Sequence, residues 1–326
     1  MIKDSFGRIH DYLRISLTDA CNFRCFYCMP EENYPFTPSS HLMQADEIQS
    51  LAQLFVQEGV KKIRLTGGEP LVRKDAEKII RSLAELPVLL TLTTNGSQIH
   101  EFLPVLQQAG IRSVNVSLDT LNANKFFSIT RRNMFNRVMN NIQLLIQNDF
   151  HVKINVVITR GLNDMEIKDF IEWAKDTPVH IRFIEFMPFN GNKWSSDQVF
   201  TWKQMLEVIK EDYPFERLED GMNETAKKYR IPEYQGTFAV ISTMSAPFCS
   251  TCNRMRLTAD GKMKNCLFSK NETDLLGALR KGEEVVPLIK ECVGRKEAAM
   301  GGQFTDRFEK LQPDQIRNRS MITIGG

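Results

Sequence analysis

Between residues 11 and 187, short runs rich in β-branched and aliphatic residues alternate with amphipathic stretches. The runs at 12–18, 62–66, 88–94, 113–119, 152–159 and 180–187 are predicted strands, and the segments 45–58, 75–86, 99–109, 135–147 and 165–175 are predicted helices. This order predicts βα units, with a parallel sheet covered on its outer surface by helices. Six strands are too few for a closed eight-fold barrel and suit an open, partial one.

Within the strands, one parity is apolar: Leu13, Ile15, Leu17; Ile63, Leu65; Leu90, Leu92; Val114, Val116, Leu118; Ile154, Val156. The other carries Arg14, Ser16, Thr18; Arg64, Thr66; Thr91, Thr93, Asn95; Asn115, Ser117, Asp119; Lys153, Asn155. A parallel sheet normally has both faces covered and reads as continuous Val, Ile and Leu. A polar face in five successive strands instead predicts a ligand-holding interior, walled by apolar packing against the helices. After residue 190 the pattern changes to a helical stretch at 200–210, short strands at 227–231, 236–242 and 255–258, and two short helices at 272–279 and 283–292. The expected division is therefore 1–190 for the partial barrel and 191–326 for a smaller region closing it.

Bulk composition narrows the function classes. The 326 residues carry 42 Lys and Arg against 40 Asp and Glu, for a net charge of +2, so nothing points to nucleic acid or an anionic membrane. No apolar run has the length of a bilayer span. The first residues lack the apolar core of a signal peptide, and the expected location is cytoplasmic. Seven cysteines, an odd number, argue against a disulfide framework.

Six of the seven form two sets of three. Cys21, Cys25 and Cys28 sit on the loop leaving the first strand, at the end of the sheet where α/β sites are built. A structural zinc site wants four ligands, and no fourth Cys or His follows within a dozen residues. Three thiolates on an iron–sulfur cube leave one iron open. The CxxxCxxC spacing, with Tyr27 immediately before the last cysteine, resembles the radical S-adenosylmethionine (SAM) superfamily. Thr66-Gly67-Gly68-Glu69-Pro70, ending the second strand, resembles that superfamily's SAM-binding segment, with Glu69 as an acceptor for a cation. The resemblance implies a [4Fe-4S] cluster on Cys21, Cys25 and Cys28, SAM contacts from Tyr27, Gly68, Ser117 and Met187, and an open six-stranded β/α barrel of radical SAM type.

Cys249, Cys252 and Cys266 form the second set. All five histidines lie far upstream, so none completes a zinc finger locally. A second cube with an open iron is the preferred reading, with zinc as its alternative. Cys292 reads as a buried helical thiol, with a fourth-ligand role as its alternative. Arg254 and Arg256 alternate on a strand and point to one side. With Arg14, Arg64, Lys153 and Arg182 they make six basic residues aimed at one cavity, which are costly to bury without an anion. A polyphosphate is the matching counter-charge, and no P-loop is present to hold it otherwise.

The whole combination resembles the GTP 3′,8-cyclase family of molybdenum-cofactor biosynthesis, over almost the full chain. That resemblance implies two [4Fe-4S] clusters, SAM, and GTP bound by Arg14, Arg64, Thr93, Lys153, Arg182, Arg254 and Arg256. It implies abstraction of the ribose C3′ hydrogen by a 5′-deoxyadenosyl radical and formation of 3′,8-cyclo-7,8-dihydro-GTP, the first step of molybdopterin biosynthesis. Arg256 is the candidate for aiding the final reduction or proton transfer. An electron donor, delivery of the product to the next pathway enzyme and, by analogy, a homodimer are implied as well. The terminal Gly325-Gly326 either enters the active site, as in the family, or is a frayed end. Ala20 departs from the basic residue many bacterial members carry before the first cluster cysteine, and 188–194 is closer to the eukaryotic-type members. The rival readings are a radical SAM enzyme acting on a peptide and a non-catalytic metal-binding protein.

Overall fold

The computed structural model describes residues 1–29, 34–304, 307–312 and 316–325; Pro30, which closes the first cysteine motif, and Gly326 lie outside the described residues. In chain order the elements are β1 (Tyr12–Ser16), α1 (Ala45–Gln57), β2 (Lys62–Thr66), α2 (Ala76–Ala84), β3 (Leu89–Thr94), α3 (Ile99–Gln108), β4 (Ser113–Ser117), α4 (Ala123–Thr130), α5 (Phe135–Gln147), β5 (His151–Ile158), α6 (Ile167–Trp173) and β6 (His180–Glu185). There follow α7 (Trp202–Lys210), β7 (Glu216–Arg217), β8 (Lys227–Arg230), β9 (Thr237–Ile241), β10 (Arg254–Leu257), β11 (Lys262–Lys264), β12 (Thr273–Asp274), α8 (Leu275–Arg280), α9 (Val285–Gly294) and α10 (Met321–Ile324).

Strands β1 to β6 lie side by side in order, all parallel. The α/β class and the open sheet are as expected, but the sheet is wider than six strands. β10 pairs in parallel with β1 and β9 in parallel with β6, and antiparallel partners continue beyond each. Among the described residues the result is one twelve-stranded sheet, β12-β11-β10-β1-β2-β3-β4-β5-β6-β9-β8-β7. The chain after residue 190 therefore extends both edges of the barrel sheet, an outcome that local periodicity does not encode.

The alternation in the strands sorts the two faces as predicted. Leu13, Ile15, Ile63, Leu65, Leu92, Val114, Val116, Ile154 and Val156 are all completely buried in the core between sheet and helices. Burying one such side chain contributes about 1.5–3 kcal/mol, so a one-residue slip of any strand would be heavily penalised. α1 shows the helix half of this logic. Ile48, Leu51, Ala52 and Phe55 are buried at helical spacing, and Gln44 and Glu47 form a reciprocal capping box at its start.

Candidate active site

The first three thiols lie on the loop after β1, and neighbouring loops fix their position. Asn95, just after β3, donates through Nδ2 to Asn22 Oδ1 at 2.7 Å and reaches Cys21 Sγ at 3.9 Å. Asn22 in turn donates to Ser97 Oγ at 2.9 Å. Cys25, Tyr27, Asn95, Ser117 and Asp119 line one small cavity, so two of the SAM-contact candidates, Tyr27 and Ser117, stand beside a thiol. The Tyr27 hydroxyl donates to Asp119 Oδ2 at 2.5 Å, and Val157 N donates to Asp119 Oδ1 at 2.9 Å. Burial holds the Asp119 carboxyl up at about 6. Asp119 enters the sequence pattern only as one more polar position, so its tie to Tyr27 is new information.

Gly67 and Gly68 serve the cysteine loop directly. Gly68 N donates to Thr18 O at 2.6 Å and Glu69 N to Ala20 O at 2.8 Å. A Cβ on Gly68 would sit 2.4 Å from Ala20 O and 2.6 Å from Asp19 O. Because the obstructing atoms are backbone, a Gly68→Ala protein must shift the stem of the cysteine loop. We expect it to lose about 1–3 kcal/mol of stability and much of its first-site iron. Unchanged thermal melting with full iron content would contradict this.

The Glu69 carboxylate accepts from Leu71 N (3.1 Å), Thr94 Oγ1 (2.8 Å) and Asn95 N (2.6 Å). It is fully buried, and burial raises its pKa to about 7. Its work is to staple the loop after β2 to the end of β3, where Asn95 faces Cys21.

The second set lies beside β10. Cys249 begins a single 3₁₀ turn, Cys252 ends it, and Cys266 follows β11. Lys296 Nζ is 3.4 Å from Cys252 Sγ, and Met300 N is 3.4 Å from Cys249 Sγ. The two sets differ electrostatically. Burial, with Glu69 adding to it, pushes Cys21 up to about 11, and burial beside Cys21 and Asp119 pushes Cys28 up to about 12. Burial would raise Cys252 too, but Arg254 and Lys296 outweigh it and bring the thiol down to about 6. Cys292 is buried on α9 with its thiol 3.8 Å from Met263 O, so the helical-thiol reading describes it. One apolar cluster containing Phe186, Trp194, Phe268, Met300 and Ile324 packs against Tyr27, Met187, Cys249 and Cys266.

The basic residues converge. Arg256, Arg14 and Arg64 face one another across adjacent strands at one register level, with Thr91 next in line. Arg14 is brought down to about 10 by burial, with Tyr12 opposing and Arg64 and Arg254 adding; Arg182 is brought down to about 9 by burial and Arg64. Lys153 falls to about 8 through burial, Arg182, Arg64 and Lys62. Thr93 Oγ1 is 3.4 Å from Arg64 Nη1, and Arg182 Nε donates to Asn155 Oδ1 at 2.9 Å. Guanidinium groups stay charged, so this cluster suits a strongly anionic guest.

Tyr12 is a residue the pattern missed. Its hydroxyl accepts from Arg64 Nε at 2.6 Å. Burial favours the neutral phenol, but Arg64, Arg14 and Lys62 outweigh it and lower Tyr12 to about 7. The folded value lies below the unfolded one. Ionised Tyr12 therefore adds stability that is full above the unfolded pKa and disappears as pH falls through about 7. We expect a tyrosinate absorbance that titrates near neutral pH, vanishes in Tyr12→Phe and shifts upward when a polyphosphate neutralises the arginines. A protein with no tyrosinate below about pH 9 would refute this.

The chain's end reaches the same place. Arg256 Nη1 donates to Gly325 O, and the Cα of Gly325 packs so tightly that a Cβ would lie 2.8 Å from Ser16 Cβ and Thr66 Oγ1. Arg319 anchors the approach through Asp260 (2.9 and 2.8 Å) and Glu272 (2.6 and 2.6 Å).

Residues 15–174 match the model of the radical SAM superfamily, and residues 179–301 match that of the molybdenum cofactor synthesis C-terminal family. A GTP 3′,8-cyclase of Listeria monocytogenes is 38% identical, covering 100% of this chain and 99% of that one. The chain belongs to the GTP 3′,8-cyclase family. A mitochondrial GTP 3′,8-cyclase of Arabidopsis thaliana is 46% identical over 100% of this chain and 84% of its own. Molybdenum cofactor biosynthesis protein 1 of Mus musculus is 48% identical over 99% of this chain and 51% of its own, so the chain spans about half the length of that relative. Among solved structures, SuiB of Streptococcus suis bound to S-adenosylmethionine superposes with a TM-score of 0.62 at 14% identity, over 86% of this chain and 66% of that one, and shows the shared fold.

For a member of the GTP 3′,8-cyclase family, the relevant group at each three-thiol set is an iron–sulfur cluster, and the donors fit it. Each set offers three partly exposed thiols and no disulfide. The raised thiols of the first set require a strongly cationic centre to be held as thiolates. Among the described residues no three His, Cys, Asp or Glu side chains are grouped to hold a single metal ion, an arrangement that a cube, binding its thiolates at separate corners, does not need. No helix among the described residues is long and apolar enough to cross a membrane.

Proposed function

We propose that the chain converts GTP to 3′,8-cyclo-7,8-dihydro-GTP, the first step of molybdopterin biosynthesis. The observation that carries this reading is the cluster of Arg14, Arg64 and Arg256 at one register level of the sheet, with Arg182 close enough to be influenced by Arg64 and Arg14, in a chain that carries two separate three-thiol sets. When bound, a [4Fe-4S] cluster on Cys21, Cys25 and Cys28 with SAM supplies the 5′-deoxyadenosyl radical that takes the C3′ hydrogen, and a second [4Fe-4S] cluster on Cys249, Cys252 and Cys266 holds the guanine.

The chain's own residues supply placement. Arg14, Arg64, Lys153, Arg182 and Arg254 hold the triphosphate and ribose, with Thr93 beside Arg64. Tyr27, Gly68, Ser117 and Met187 hold SAM. The apolar cluster packed against Tyr27, Met187, Cys249 and Cys266 keeps water from the radical. After C3′ joins C8, the nucleotide takes one electron from an external donor and one proton; Arg256, buried beside Gly325 O, stabilises charge or directs the proton there. Seven unpaired thiols suit a reducing compartment such as the cytoplasm. Delivery to the next pathway enzyme and a homodimer rest on family analogy.

The test uses anaerobically reconstituted protein, SAM, a strong reductant and GTP deuterated at C3′. Deuterium appearing in 5′-deoxyadenosine is the expected result. Unlabelled 5′-deoxyadenosine, formed equally without GTP, would overturn the substrate assignment.

A further inference from the structure

We propose that the N-terminal turn positions the second cysteine site, with Arg8 fastening the Cys249 loop to the segment 296–300 that touches two of its thiols. This inference rests on the second-cluster reading above.

The turn is built to present one guanidinium. Asp4 Oδ1 accepts from Phe6 N at 3.0 Å and Arg8 N at 2.9 Å, Gly7 takes a φ of 83° that favours glycine, and His10 N donates to Ile2 O at 2.9 Å. Asp4 Oδ2 then holds Arg8 Nε at 2.5 Å and His10 Nε2 at 3.0 Å. The side chains of Asp4 and His10 are fully buried and that of Arg8 is 7% exposed. Such a buried charge pair is expensive unless its remaining donors are satisfied.

Three of the four remaining Arg8 donors are satisfied, all by backbone. Arg8 Nη1 donates to Cys249 O at 2.8 Å and Ala298 O at 2.9 Å, and Nη2 donates to Glu297 O at 2.9 Å. One planar fork thus joins the first residue of the Cys249 turn to two consecutive carbonyls of a distant segment. That segment is also the one whose Lys296 Nζ approaches Cys252 Sγ and whose Met300 N approaches Cys249 Sγ. Without Arg8, the carbonyl of a ligand residue and the two that follow Lys296 lose their common donor. A lysine could reach one carbonyl but not hold all three, because its three donors radiate from a single point. None of these bonds involves the loop of Cys21, Cys25 and Cys28.

The prediction is a loss confined to one site. Arg8→Ala, reconstituted anaerobically, is expected to fall from about eight to about four iron atoms per chain, while 5′-deoxyadenosine formation without GTP stays at the wild-type rate. Arg8→Lys keeps the charge and most of the packing. It should fold normally, bind iron at both sites and show an altered paramagnetic resonance signal for the second cluster only. Wild-type iron content and spectra in both variants would overturn the proposal. So would loss of both clusters together, which would mark Arg8 as a general fold element. A wild-type protein holding only four iron atoms would instead overturn the second-cluster reading itself.

Discussion

A Cys25→Ala protein will lose reductive cleavage of SAM to background while keeping the iron of the second site, and Cys252→Ala will do the reverse. The asymmetry follows from separate local supports. Cys25 belongs to a loop held by Asn22, Asn95 and the backbone of Gly68 and Glu69. Cys252 belongs to a turn held by Lys296 and Arg8. No hydrogen bond described above joins one loop to the other; Tyr27 of the first and Cys249 of the second pack on a common apolar cluster. Removing one thiol of a three-thiol set leaves too few ligands for a stable cube at that set alone. The measurement is iron and labile sulfide per chain together with 5′-deoxyadenosine yield, with and without GTP. Cys252→Ala should still make 5′-deoxyadenosine but no cyclised nucleotide. Should both variants lose all iron, the two sites are not independent and this account of their supports is wrong.

Arg256→Ala should bind GTP and still lose about a hundredfold to a thousandfold in product formation, the range seen when one preorganised donor is removed from a reacting centre. Arg256 is 8% exposed, and burial, with Arg14 and Arg254 adding to it, pushes it well below its ordinary value. It also holds Gly325 O, so its removal frees the end of the chain from Ser16 and Thr66. Two variants separate these effects. Arg319→Ala loosens the tail from Asp260 and Glu272 without touching Arg256, and Gly325→Val forces a side chain into the same contact. If Arg256 acts on the substrate, Arg256→Ala must be slower than either tail variant under saturating GTP. Equal rates in all three would assign the effect to the tail. Full product formation by Arg256→Ala would remove Arg256 from the chemistry.

Much of this site was legible because a strand's two faces are written in alternate letters. Arg14, Arg64, Thr93, Lys153 and Arg182 fall on the polar parity, and the register aligns them as the pattern required. β2 and α5 match their predicted bounds residue for residue. β1 stops at Ser16, although Leu17 and Thr18 continue the alternation, because both remain buried in the loop that feeds the cysteines. α4 was missed: Phe127 and two β-branched residues within eight positions weaken the helical signal, while the start is set by Asn122, whose side chain accepts from Asn124 N and Lys125 N. The local donors to Glu69 have no sequence signature, because a buried carboxylate that answers three of them reads the same as one that answers none. Arg8 was invisible because its partners are backbone carbonyls, which have no letter of their own, in segments far along the chain.

The pairing of β1 with β10 also sets the order in which the protein can be made. Tyr12 must find Arg254, so the sheet is left with an open edge until most of the chain has left the ribosome. The first cysteine loop emerges early, yet the cavity beside it lacks Arg254 and Arg256 until that last parallel strand docks.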